Sequence, residues 1–409
     1  MTNINIQGDE LRGSIRPLKR HFVRMKKNII YIFLGACMGL ASCSKDFVNL
    51  SPETQVNTDN FFKTPDQYWQ AVTGVYQALR GNVSPSGWLM GEMRSDNTHY
   101  EYNVSNRGVA IVQREYIANF LDDASDDQTK AKYVSDYVGI SRANTILDRA
   151  AASSLSAGAK DSIIGETEVL RAFFYFDLVQ FYGKVPLNLH EIANPSQAFA
   201  LRSSVDSVYT AIVTDLTDAI KRLPPPIFPQ NGHVTLGTAK TMLANVYMVQ
   251  KKYGDASALL TDVTHMGYSL QTNYADAFDP AHKNNSESIF EVQYKQGPDG
   301  QQSDFIYNFV PITTNTSVIT GTTGNAINSG GWNVPTQDLL NAYEPNDKRL
   351  DASIEVAEGH VDATGYTVVE SVKSIVGYST PPGKVSKLFI KKYLHPHALP
   401  NNTDDDWPV

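Results

Sequence analysis

The stretch from Ser162 to Tyr182 constrains the fold of this chain more than any other part of the sequence. Gly183 and Pro186 follow it and end a helix, because glycine suits the position after a helix and proline cannot continue one. The stretch has a wide apolar face, which predicts a core helix packed on more than one side. The residues of that face recur at helical spacing: Ile163, Leu170, Phe173, Phe174, Phe176, Leu178, Val179 and Tyr182.

Helical spacing dominates the chain before Gly267 and predicts a mainly α fold. Near the end of this part, Ala244 and Ala256 would lie where two antiparallel helices cross and would let them approach closely, as in tetratricopeptide repeats. We therefore predict tetratricopeptide-like helix pairs that form an α-helical scaffold up to about residue 266. The other predicted helices are Pro65–Leu79, Lys130–Ala150, Ser204–Leu223, Thr238–Lys251 and Asp255–Met266.

Residues 267–409 differ in character and predict an irregular, loop-rich second half that carries short strands. The stretch from Gln296 to Gly331 is rich in Gly, Asn, Ser and Thr, and loops of that length are usually functional. We therefore expect the ligand-binding part of the protein in this half. Short β-like runs occur at Ser288–Tyr294, Thr367–Val372 and Lys387–Tyr393, and a further helix is predicted at Thr336–Tyr343.

The N-terminal region resembles a bacterial lipoprotein signal. Lys26 and Lys27 precede an apolar run of about twelve residues, well short of the roughly 20 that span a bilayer. The tetrad Leu40–Cys43 resembles a lipobox, whose cysteine is acylated and becomes the first residue of the mature protein. An ordinary signal peptide with an incidental cysteine is the alternative. We interpret residues 1–24 as an extension ahead of a start at Met25, 25–42 as the signal peptide, 43–58 as a tether and 59–409 as the folded domain.

The balance of charge excludes one class of partner. The whole chain has a formal net charge of -8, but seven basic and two acidic residues precede Cys43, which leaves 28 basic and 41 acidic residues in the remainder. A mature chain with a net charge of about -13 would be repelled by phosphate backbones, so we expect no nucleic-acid partner.

The segment Glu168–Leu187 resembles a segment of the SusD/RagB family of Bacteroidetes lipoproteins, which has a near-identical helix closed by glycine and proline at the same spacing. The resemblance covers essentially all of Cys43 to Tyr393. Further similar segments follow the family's order along the chain: Phe61 and Phe62, Tyr209–Leu223 with Pro224, Gly232–Met248, Asn285–Tyr294 and Trp332–Ile354.

This resemblance implies a nutrient-binding protein of the cell outer membrane, held by lipid through acylated Cys43 and facing the exterior. It also implies two partners: a glycan ligand and a SusC-like TonB-dependent transporter that receives the glycan. Family members continue into a further C-terminal helical segment, which this sequence, ending at Val409, does not reach. The resemblance therefore implies a C-terminal truncation, and we expect an exposed apolar face where those helices would pack.

The predicted ligand-binding site is the polar and aromatic segment Trp88–Tyr102, together with one tryptophan from the second half. Family members stack aromatic rings on the apolar faces of sugars and read the hydroxyl groups with planar polar side chains. Two alternatives stay open: an ion pair between Arg94 and Asp96 with core rings around it, and a packing role for Trp332. The predicted ligand-binding residues are Trp88, Arg94, Asp96, Asn97, Tyr100 and Trp332.

The sequence gives no indication of catalysis, a metal or a cofactor. It contains no G-x-S-x-G elbow, no H-E-x-x-H motif and no dinucleotide-binding glycine pattern, and we predict that the protein is not an enzyme. The acidic run Asp122, Asp123, Asp126 and Asp127 lacks the spacing of an EF-hand and predicts a solvated helix start. Two other functions stay open: a membrane-bound tetratricopeptide-like scaffold for a peptide or protein, and a surface glycosidase with unrecognised carboxylates.

Overall fold

The computed structural model describes residues 61–295, 303, 305–321 and 330–394. The interpretations of the extension, signal peptide, lipidated Cys43 and tether therefore lie outside the described residues, as do residues 296–302, 304 and 322–329 of the predicted loop Gln296–Gly331. None of the helices in the part of the chain that the structure describes combines the length and hydropathy needed to cross a membrane.

Seven helices of ten or more residues form the scaffold of the described chain. Each predicted helix of the first half is present, with its ends within a few residues of the prediction, so the mainly α fold is confirmed. One helix, α2, was not predicted. The helices are α1 (Pro65–Asn82), α2 (Val109–Ala118), α3 (Asp127–Ala152), α4 (Ala157–Tyr182), α5 (Val205–Arg222), α6 (Leu236–Val249) and α7 (Tyr253–Thr264).

Polar side chains at the helix starts explain where these helices begin. Thr64 and Gln67 form a reciprocal capping box at α1, with Pro65 in the first turn. Asp126 accepts hydrogen bonds from Gln128 N and Thr129 N at the start of α3, which confirms the helix-start prediction for the acidic run. At the other end of α4, Gly183 has a φ of 66°, a conformation that costs glycine little.

Helix α4 is the centre of the main core and packs between α3 and α5. Its Phe174 and Leu178 are fully buried, and a Cβ at Gly139 of α3 would overlap the Phe174 ring, so only glycine allows the two helices this close. A buried ion pair joins α4 to α5: the guanidinium of Arg171 donates to both carboxylate oxygens of Asp215, at 2.8 and 2.7 Å.

The second half contains short strands and short helices, as predicted. Strand β1 (Thr98–His99) pairs antiparallel with β2 (Val334–Pro335). A separate antiparallel sheet has the order β4-β3-β5, with β3 at Ile354–Val361, β4 at Thr367–Ser374 and β5 at Val385–Ile390. Shorter helical segments lie at Trp88–Met90, Glu92–Arg94, Pro195–Ala198, Tyr274–Phe278, Pro280–His282, Phe305–Asn308, Ser317–Thr320, Gln337–Ala342 and Lys348–Ser353.

One strand prediction was wrong. The run Ser288–Tyr294 has no strand partner among the described residues. Side chains bond to its polar groups instead: Lys283 Nζ donates to Tyr294 O at 2.6 Å, and Gln230 donates to Ser288 O. Phe290 and Val292 pack against the helical core, so the apolar pattern reflects that packing and not a sheet.

Candidate functional site

Strand β1 fixes the segment Trp88–Tyr102 in place. Its pairing with β2 continues on both sides, because Thr336 N donates to Asn97 O at 2.9 Å and Glu101 N donates to Gly331 O at 2.6 Å. The Glu101 carboxylate also accepts from Ile312 N at 2.9 Å and pairs with Lys387. The segment is therefore held by three separate parts of the second half: the stretch around β2, Ile312 and Lys387.

Three of the predicted rings meet in a buried aromatic cluster. Tyr100 is 6% exposed and Trp332 only 3%, and their ring centroids lie 5.4 Å apart. Trp88 packs edge-on against Trp332 at 4.8 Å, and the Arg114 guanidinium carbon lies 4.1 Å from the centroid of the Trp332 ring. Burial on this scale leaves little ring surface for a sugar and favours the packing alternative that the sequence left open for these rings.

A cavity of about 600 Å³ lies beside this cluster and brings together two predicted residues, Trp88 and Asn97. Trp88 is half-buried there, whereas the Asn97 side chain is exposed and donates to Glu92 at 3.3 Å. Lys132 and Asp177 also line the cavity and form an ion pair with Nζ and Oδ2 2.5 Å apart.

The two remaining predicted residues, Arg94 and Asp96, have different surroundings. Arg94 pairs with Asp122 and donates from Nε to Ile117 O at 3.0 Å, so its partner is not Asp96, the alternative left open by the sequence. Asp96 is exposed, and its backbone oxygen accepts from Thr336 Oγ1 at 2.6 Å. Arg94 therefore joins the segment to the region between α2 and α3.

An exposed aromatic surface begins at Tyr102, the last residue of the predicted segment. Tyr102 is 61% exposed and Tyr116, on α2, is 46% exposed. The Arg107 guanidinium carbon lies 4.6 Å from the Tyr102 ring centroid, a distance typical of a cation–π contact. We call Tyr102, Arg107 and Tyr116 the Tyr102 platform. Two rings and a planar cation there offer both an apolar face and hydrogen-bond donors to solvent.

Buried Glu115 holds the platform in shape. Its side chain is 9% exposed, and Arg107 Nη1 donates to its two oxygens at 2.6 and 2.8 Å. This hydrogen-bonded partner raises the pKa of the Arg107 guanidinium, which remains charged. The connecting turn is fixed as well, because Asn103 Oδ1 accepts from Ser105 N and Asn106 N at 3.1 and 3.0 Å.

Sequence reasoning missed Arg107, Glu115 and Tyr116 and did not select Tyr102. The turn residues between Asn103 and Gly108 were a detectable signal of a loop ending at a helix start. The ten residues that follow form a short helix, and recognising it would have placed Glu115 and Tyr116 near its end. In the described ranges, no group of three or more His, Cys, Asp or Glu side chains is placed to hold a metal ion.

Comparisons with known proteins agree with this architecture. Residues 46–248 match the SusD-like family model described as starch-binding and associating with the outer membrane. SusD-like protein P25 of Formosa agariphila is 26% identical over 290 residues, which are 68% of this chain and 54% of the relative. A SusD-like protein of Bacteroides ovatus is 25% identical over 66% of this chain and 50% of its own length. The chain thus spans about half the length of these relatives.

Solved structures share the fold over more of their length. A laminarin-binding SusD-like protein superposes with a TM-score of 0.65 and 25% identity, over 85% of this chain and 76% of that protein. Surface glycan-binding protein A from Bacteroides thetaiotaomicron, solved in complex with laminarihexaose, superposes with a TM-score of 0.64 over 84% of this chain and 74% of its own. At 18% identity, the second comparison concerns the fold alone.

Proposed function

Because this chain belongs to the SusD-like family, whose members associate with the outer membrane, we propose that it binds a glycan through the Tyr102 platform without cleaving it. The observation that carries the proposal is a pair of exposed tyrosine rings, Tyr102 and Tyr116, beside a guanidinium fixed by a buried carboxylate. Such rings can stack on the apolar face of a pyranose, while Arg107 donates to its hydroxyl groups. The similarity to a laminarin-binding protein supports this assignment.

The platform is preferred to the buried rings because stacking requires an accessible ring face. Tyr100 and Trp332 belong to the buried aromatic cluster, and Tyr100 directly follows β1, the strand that leads to Tyr102. Trp88 and Asn97 stay in the proposal as contacts at the neighbouring cavity, where a shorter part of the ligand would fit.

We propose further that acylated Cys43 anchors the protein to the outer membrane, facing the exterior, beside a SusC-like TonB-dependent transporter that receives the glycan. The description of the matching family as associating with the outer membrane supports this location. The peptide-binding scaffold and the surface glycosidase stay as the alternatives, since both are compatible with a helical fold.

Replacing Tyr102 or Tyr116 with alanine should weaken glycan binding at unchanged thermal stability. Loss of an exposed stacking ring at a binding site costs about 1 to 2 kcal/mol, or roughly 5- to 30-fold in affinity. The change should leave stability within about 0.5 kcal/mol, since neither ring is in a core. Isothermal titration with a glycan panel that includes laminarin and starch, next to thermal melting, measures both quantities.

Tyr253 provides a matched control, because it is 62% exposed but lies at the start of α7 in the helical scaffold. Tyr253→Ala should bind like the wild type. If the three alanine variants weaken binding equally, or if none does, the platform is not the site, and the cavity beside Trp88 becomes the next candidate.

Replacing Cys43 with alanine should release the protein from the membrane fraction. A thioether-linked and acylated cysteine is the only attachment that the proposed anchor uses, and each buried CH₂ of an acyl chain contributes about 0.8 kcal/mol. Cell fractionation followed by immunoblotting measures the distribution. A variant that stays in the membrane fraction and resists salt extraction like the wild type would contradict the lipid anchor.

A further inference from the structure

The charges of the Tyr102 platform are already paired within the protein. Arg107, its only basic residue, directs Nη1 at both oxygens of Glu115, whose whole residue is 7% exposed. A second guanidinium of this segment, Arg94, is paired with one oxygen of Asp122. An anionic ligand would therefore meet guanidinium groups whose charge is already compensated by a carboxylate.

The surrounding segment is acidic. Residues 88–127 contain three basic residues and eight acidic ones, so their formal net charge is -5. Several of the acidic side chains face solvent, whereas Arg94 and Arg114 are half-buried. The exposed acidic residues are Glu92, Asp96, Asp123 and Asp127. A carboxylated or sulfated polysaccharide that approaches this segment therefore meets charges of its own sign.

We propose that the Tyr102 platform selects uncharged glycans and that Glu115 is the residue that determines this specificity. The inference rests on the proposed function, because it names the class of glycan that the same surface takes. Glu115 acts through Arg107: its carboxylate accepts hydrogen bonds from Nη1 and compensates the charge of the guanidinium, whose carbon it holds 4.6 Å from the centroid of the Tyr102 ring. An anionic ligand that drew Arg107 away from Glu115 would leave a buried carboxylate without its partner, at a cost in free energy. A neutral sugar can bind without breaking the pair between Arg107 and Glu115, because its hydroxyl groups accept hydrogen bonds without carrying charge.

Glycans that differ only in charge test this specificity. Laminarin and starch serve as the neutral probes, and their sulfated derivatives have the same backbones. We expect the wild type to bind each neutral form at least about tenfold more tightly than its sulfated form. Glu115→Gln removes the ionic partner of Arg107. The ratio of the affinity for the neutral glycan to that for its sulfated form should therefore fall by about tenfold, mainly because the sulfated glycan binds more tightly.

Asp127→Asn is the matched control, because it makes the same change in charge at an exposed position in the first turn of α3. It should leave the preference within about twofold of the wild type, since a single exposed charge has a small effect. Adding Arg107→Gln to Glu115→Gln should remove the gained binding of sulfated glycan. Thermal melting of each variant checks that the comparison is made between folded proteins.

Equal or tighter binding of sulfated glycans by the wild type would overturn the proposal. The proposal would also be overturned if Asp127→Asn changed the ratio of neutral to sulfated affinity as much as Glu115→Gln does. The effect would then come from net charge and not from Arg107. In either case, continued loss of binding in Tyr102→Ala would leave the proposed function intact. If no probe in any form binds through Tyr102, the proposed function fails and the specificity fails with it.

Discussion

Replacing Trp332 with alanine should lower the free energy of unfolding by about 3 to 5 kcal/mol, the range for removing a large buried aromatic side chain. The ring is 3% exposed and lies between Trp88, Tyr100 and the Arg114 guanidinium. Its removal would leave a cavity that three rigid neighbours cannot close and would expose the guanidinium to a void. Urea denaturation, followed by circular dichroism, measures the change.

Trp332→Phe is the control for this prediction. Phenylalanine keeps an aromatic ring against the same neighbours, so it should recover most of the stability that alanine loses. An alanine variant that unfolds at the wild-type urea concentration would show that the aromatic cluster is not tightly packed. Loss of glycan binding with no loss of stability would instead return Trp332 to the ligand contacts that the sequence predicted.

Replacing Arg171 with methionine should cost about 3 to 5 kcal/mol of stability, because it leaves Asp215 as a buried charge without its partner. The guanidinium is also the donor to Asn144 Oδ1 and Leu189 O, both at 2.9 Å, so three acceptors lose their hydrogen bonds together. Burial raises the pKa of the Asp215 carboxyl, and Arg171 lowers it by less. Desolvation therefore dominates at this carboxyl, and the single substitution should be worse than removing the pair.

A double-mutant cycle tests that reasoning. Arg171→Met with Asp215→Leu should cost less than the sum of the two single changes, with a coupling of about 1 to 3 kcal/mol measured by urea denaturation. Arg349, whose side chain is 63% exposed, likewise donates to both oxygens of Asp347, and Arg349→Met should barely change stability. If the surface and buried substitutions cost the same, burial is not the reason for the expected loss.

The helical half of the fold could be predicted from the sequence because its signals are local. Apolar spacing and the helix-terminating residues Gly183 and Pro186 identified α4. The capping residues Thr64 and Asp126 lie where α1 and α3 begin. Helix α2 was missed because it is only ten residues long and its apolar pattern is weak. Strand β3 was missed because its pattern is interrupted, and its stability comes from pairing with β4 and β5.

The candidate site could be predicted only in part. Composition identified the segment around Trp88 and Asn97, but residue type alone does not tell a stacking ring from a core ring. Tyr100 and Tyr102 lie two positions apart, yet one is 6% exposed and the other 61%. The difference is set by Trp332, from a distant part of the chain, and by Arg114 on α2, which both contact Tyr100. Such coverage is a tertiary property that no local pattern encodes.

The hydrogen bonds that hold β1 also imply an order of folding. Glu101 is bonded to Ile312, 211 positions later in the chain, and to Lys387, 286 positions later. Contacts of such long sequence separation form slowly, because a large loop must close before they contribute any stability, whereas helices pack against their neighbours early. The helical scaffold should therefore assemble first, and the strand that leads to Tyr102 should be positioned only when the end of the described chain has docked. A molecule of this protein can thus be compact and helical before it is able to recognise its ligand.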